Sequence, residues 1–119
     1  MVAITDRIRK GTHALISSEA IDREVDACPD AEKAELVRQI LRLARERVTV
    51  TGKELERWQE LMGLGFRQID ALHLACAESA HCDLFLTTDD KLLARGKSRA
   101  AFLRVAVANP LAFILEDKP

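Results

Sequence analysis

Short apolar runs alternating with longer helical stretches constrain this chain more than any other feature. His13-Ala14-Leu15-Ile16-Ser17, Leu84-Phe85-Leu86-Thr87 and Val105-Ala106-Val107 are too brief for helices and aliphatic enough for buried strands. Val48-Thr49-Val50 is a further extended piece. Between these runs the sequence reads as helix: 2 to 10, closed by Gly11; 19 to 27, behind a Ser17 or Ser18 cap; and a long segment to about 46, with Val37, Ile40, Leu41 and Ala44 on one face. A Thr51/Glu54 capping box opens 52 to 62, which stops at Gly63-Leu64-Gly65; helices over about 67–80 and from Asp89 or Asp90 to Gly96 follow. Asn109-Pro110 leads into an apolar tail, Leu111 to Leu115, for which folding back over the strand edges is the alternative to self-association. Strands alternating with helices call for an α/β domain with a mostly parallel sheet.

The composition suits one domain over 1–119: 48% of residues are hydrophobic and 31% charged. No apolar run approaches a membrane span, and the first residues do not read as a signal peptide. Cys28, Cys76 and Cys82, odd in number and irregularly spaced, suggest no disulfide framework and read as reduced thiols in a cytoplasmic protein. Twelve of the eighteen basic residues are arginine, the better phosphate fork. Arg38, Arg42 and Arg45 recur at helical spacing with Arg47 beyond, and Arg95, Lys97 and Arg99 form a second group. Both read as solvated surface, with a phosphate-tracking face as the functional alternative. With 4% aromatics and no tyrosine, binding of single strands by base stacking is disfavoured, and Trp58 reads as core or interface.

Asp70 breaks the apolar run from Ile69 to Ala75, where an ionised carboxylate is costly unless something compensates it. In a parallel α/β sheet, helix N-termini and strand C-termini share one rim, the edge where ligands bind. That rim takes Asp70, in the first turn of the 67–80 helix, and Asp89, just past the strand ending at Thr87. Glu24, a turn and a half into the 19–27 helix, is within reach of it. Converging carboxylates need a cation, and Mg2+ or Mn2+ would suit oxygen ligands and phosphodiester hydrolysis. The alternative is an Asp70 stabilised by the helix dipole or paired with Arg67.

On these residues the chain resembles a PIN domain, of the kind found in bacterial VapC-like toxins. The resemblance runs from Gly11 to about Leu115 and rests on "LISSEAIDREV", "GFRQIDALHLACA", "DLFLTTDD" and "VAVANPLAF". It implies a three-layer α/β/α fold, Mg2+ or Mn2+ as cofactor, and endonucleolytic cleavage of RNA. It also implies Glu24, Asp70 and Asp89 as metal-site acids, with Thr87 as a supporting hydroxyl; Asp90 reads as a helix cap. A toxin of this kind would have an antitoxin partner. The family pattern opens with a strand ending in an aspartate, whereas this chain reads as starting in the following helix and so as N-terminally truncated. Asp6 to Thr12 is far shorter than the dozen or so residues a parallel crossover needs. Without that central strand, the 13–17 and 84–87 strands would pair directly or leave a gap, and exposed edges would favour a homo-oligomer.

Other readings carry less. His73, Cys76, His81 and Cys82 hint at zinc but read better as a core histidine and buried thiols. Cys28 has no base near it for nucleophilic chemistry. A flavodoxin-like domain lacks support, having no Gly-rich phosphate loop here. The functional alternative to a nuclease is a catalytically degenerate PIN-like module that binds protein or RNA.

Overall fold

Four of the helices begin where a side chain accepts amide protons that a first turn leaves unpaired, the last of them at Asn109. Ser18 accepts from the Ile21 amide at 3.2 Å, Asp30 from Lys33 at 3.1 Å, and Asp89 from Lys91 and Leu92 at 2.9 and 3.2 Å. The structure, a computed structural model, describes residues 2–116. In chain order its elements are α1 (Val2–Arg9), β1 (Ile16–Ser18), α2 (Glu19–Asp26), α3 (Ala31–Leu41), β2 (Glu46–Val48), α4 (Gly52–Gly63), α5 (Gln68–Ser79), β3 (Leu84–Leu86), α6 (Asp90–Ser98), β4 (Ala106–Ala108) and α7 (Pro110–Glu116). A 3-10 turn at Ala100–Phe102 precedes β4.

The fold is the expected α/β type, with parallel strands wrapped by helices. Its strands form two parallel pairs: β1 with β2, Ile16 opposite Glu46, and β3 with β4, Leu84 opposite Ala106. Among the described residues no strand pairing joins the two. Direct pairing of β1 with β3, one of the two expected arrangements, is not found among these residues.

What connects the halves is α5, which contacts both β1 and β3 and packs most extensively against α4. Its Ala71, Leu74 and Ala75 enter a larger core with Leu61, Phe66, Leu92 and Val105. Its Cys76, backed by Leu72 and Ala80, enters a smaller one with Ala20 and Val48. A helix in contact with two cores has little polar face to offer, which is why "ALHLACA" shows no clear amphipathic stripe. Small residues at 71, 75 and 76 let neighbours approach it closely.

Several boundaries differ from the sequence expectation, each for a local reason. Thr12 and His13 donate their amides to the Arg7 carbonyl, closing α1, so β1 starts only at Ile16. The helix expected to reach about 46 stops at Leu41: Leu43 and Ala44 make turn bonds, and the Arg45 amide bonds the Leu15 carbonyl at 2.8 Å. That bond draws the chain into pairing with β1 and places β2 at 46–48, ahead of the expected 48–50. The tail is a helix, capped by Asn109, whose Oδ1 accepts from the Leu111 and Ala112 amides, with Pro110 at its first position. It lies against α1, with the Phe113 ring 5.2 Å from His13, while Leu111 and Leu115 remain exposed.

Candidate active site

The loop Gly65-Phe66-Arg67 aims α5 at the rim. Gly65 has φ +101°, a left-handed conformation natural to glycine, and the Arg95 side chain lies against it. Phe66 is buried in the larger core, and the Trp58 indole donates to the Gln68 carbonyl at 2.9 Å. Trp58 is thus a half-buried brace for the first turn of α5, in line with a core or interface role. That turn carries Asp70.

Asp70 is only 13% exposed, and what compensates it is Arg67. The guanidinium donates from Nε to Asp70 Oδ2 at 3.0 Å and from Nη2 to Asp89 Oδ2 at 2.8 Å. One arginine therefore holds carboxylates from two elements together. Asp89 is itself the N-cap of α6: its Oδ1 accepts from the Lys91 and Leu92 amides, leaving Oδ2 for the rim. Those backbone donors, Leu92 foremost, hold the Asp89 carboxyl below the usual range, and the Arg67 charge adds to the effect. The cap expected at Asp90 is therefore Asp89, and Asp90 is the exposed first residue of the helix. Thr87 supports the arrangement: its hydroxyl accepts from the Asp89 amide at 3.1 Å while its own amide donates to Ala108 at 2.9 Å.

Glu24 is placed differently. Its Oε2 lies 2.5 Å from Nε2 of His73, a buried residue on α5 whose ring also tilts against Phe85 at 6.1 Å. Asp70 and His73, three residues apart, share a face of α5. The structure thus brings together two neighbouring groups: Asp70, Asp89, Thr87 and Arg67, and beside them Glu24 with His73. Among the described residues no three His, Cys, Asp or Glu side chains converge as a ligand set. Asp70 and Asp89 nevertheless fit a hard divalent ion: two oxygen donors at one rim, already sharing a cation.

Arg67 and His73 are the residues that sequence reasoning underweighted. The i, i+3 spacing to Asp70 signals Arg67. Nothing local signals that His73 meets Glu24.

The arginine groups are largely partnered. Arg38 pairs with Asp26 at 3.0 Å, Arg42 with Glu35 at 3.3 Å and Arg47 with Asp22 at 2.6 Å. Arg99 donates to the Leu64 carbonyl at 3.1 Å. Such surface pairs are weak and exchange partners readily. The cysteines are unpaired with one another. Burial pushes the Cys76 and Cys82 thiols up, against any role as thiolates.

The family model described as PIN domain matches residues 6–97, most of the chain. The chain belongs to the PIN domain family. Comparison with curated proteins and with solved structures gave no match. Membership places this PIN domain among nuclease-type folds that generally bind RNA and depend on divalent metal. Among its described residues no helix is long and apolar enough to cross a membrane.

Proposed function

We infer that this PIN domain is a metal-dependent endoribonuclease of the toxin type, with Asp70 and Asp89 as its principal acids. The observation that carries this is the pair itself: two carboxylates from different elements, facing one another across a single guanidinium at the strand-end rim. Mg2+ or Mn2+ held there would ease deprotonation of water and offset the charge developing on the phosphodiester. The residues of the chain do the rest. Asp89 is fixed by its cap bonds and by Thr87, Asp70 by the braced first turn of α5. Glu24 would serve as a third acid from outside the pair, since its carboxylate is taken up by His73, three residues along α5 from Asp70. Arginines of the 38–47 segment and the 95–99 helix end would steer the strand by its phosphates, which orients RNA without reading its sequence.

Cleavage of an end-labelled RNA tests this. Wild type with Mn2+ should cut, and Asp70→Asn prepared in the same way, or wild type with EDTA, should not. Equal cleavage by wild type and Asp70→Asn would refute it.

A second reading, a PIN module that binds without cutting, is favoured by one observation: among the described residues the strand pairs are not joined. Retained RNA binding with no cleavage under any metal would establish it. The same unpaired edges support self-association in the cytoplasm and an antitoxin as a second partner. A clean monomer in sedimentation across micromolar concentrations would remove the first of these.

A further inference from the structure

We propose that Arg67 is a resident counter-ion of the acid pair, and that a divalent cation enters the site only by displacing its guanidinium. The inference rests on Asp70 and Asp89 being cation ligands, and it concerns which atoms are left for a cation to take. Asp89 Oδ1 is committed to the Lys91 and Leu92 amides at the head of α6. Oδ2 is the oxygen turned to the rim, and Arg67 holds that same atom at 2.8 Å. On Asp70 the guanidinium likewise holds Oδ2, at 3.0 Å. The arginine and an incoming ion therefore compete for the same atoms.

The release is physically easy. Arg67 stands just outside α5, in extended backbone at its N-cap position, and makes no side-chain cap bond to the helix. Its side chain is 63% exposed, so it can swing into solvent without opening the core. The guanidinium end of both pairs is open to solvent and screened there, although Asp70 itself is only 13% exposed. A doubly charged ion at the same oxygens gains more from them than a single delocalised charge does. Once released, the guanidinium lies at the edge of the acid site, where its planar fork suits a phosphate oxygen.

Mn2+ titration by calorimetry on wild type, Arg67→Gln, Arg67→Lys and Asp70→Asn tests the proposal, with circular dichroism checking that each variant is folded. Arg67→Gln should bind about tenfold more tightly than wild type, since a competing charge beside the ion is gone. Arg67→Lys, which keeps the charge but lacks the fork, should fall between them, and Asp70→Asn should not bind. Suppose wild type binds, Asp70→Asn does not, and Arg67→Gln binds equally or more weakly. Arg67 would then align the acids rather than compete for them, and the proposal is wrong while the metal site stands. If neither wild type nor Arg67→Gln binds, the proposal and the functional reading fail together.

Discussion

Loss of Glu78 should loosen the platform on which Asp70 stands. Glu78 lies near the C-terminal end of α5, its side chain 2% exposed. It accepts from Arg57 Nε at 2.6 Å, from Arg57 Nη2 at 3.2 Å and from the Arg104 amide at 3.0 Å. The single carboxylate thereby ties α5 to α4 and to the segment entering β4. The bond to Glu78 is the main reason the Arg57 guanidinium is held even more firmly protonated than usual. Glu78→Ala would leave that guanidinium, whose side chain is 14% exposed, with the Phe102 carbonyl at 2.6 Å and Glu60 at 3.9 Å but without its buried carboxylate, and would unpair the Arg104 amide. Removing one partner of such a pair costs about 3–5 kcal/mol, out of a total stability of about 5–15 kcal/mol. For a chain of 119 residues that loss lowers Tm by about 10–20 °C. Thermal and urea unfolding read it directly. Arg57→Met with Glu78→Leu should be less damaged than Glu78→Ala alone, because an apolar pair leaves no buried charge. A loss below about 1 kcal/mol for Glu78→Ala, or strict additivity across the double-mutant cycle, would refute this view of α5.

Gly96 is buried against β4, and a Cβ added there would lie 2.8 Å from the Val107 Cβ, so Gly96→Ala should cost about 1–3 kcal/mol in urea unfolding, with Val107→Ala restoring part of it. His81 closes α5 at φ 56°, its amide bonding Glu78 and that of Cys82 bonding Ala77; His81→Gly should raise stability by about 1 kcal/mol. Bonds from the Ser79 and Thr51 hydroxyls, Ser79 foremost, lower the Glu54 carboxyl from 4.5 to about 2. Its folded pKa is thus depressed, and its contribution is full above the ordinary carboxylate value and is lost as pH falls from there towards 2. Acid unfolding of Glu54→Gln should show a flatter dependence across that window than wild type.

What the sequence made legible was local. The Thr51/Glu54 box is present, with Glu54 Oε1 accepting from the Thr51 amide at 2.8 Å, and α5 lies where "DALHLACA" put it. Asp89 lies just past the strand as expected, although β3 closes at Leu86 rather than Thr87. What was not legible depended on partners distant in sequence. Leu15 takes the Arg45 amide and ends a helix whose own periodicity would continue. His73 takes Glu24 from forty-nine residues away. The pairing of Arg67 with Asp70 was foreseeable from spacing, but its second bond, to Asp89, needed the fold.

The most direct test of the acid pair is a crystal of this PIN domain grown with Mn2+, with anomalous differences measured at the manganese edge. The expected result is a peak between Asp70 and Asp89, with the Arg67 side chain moved off both carboxylates. A map with no peak there, and Arg67 still bridging Asp70 Oδ2 and Asp89 Oδ2 at saturating metal, would contradict it.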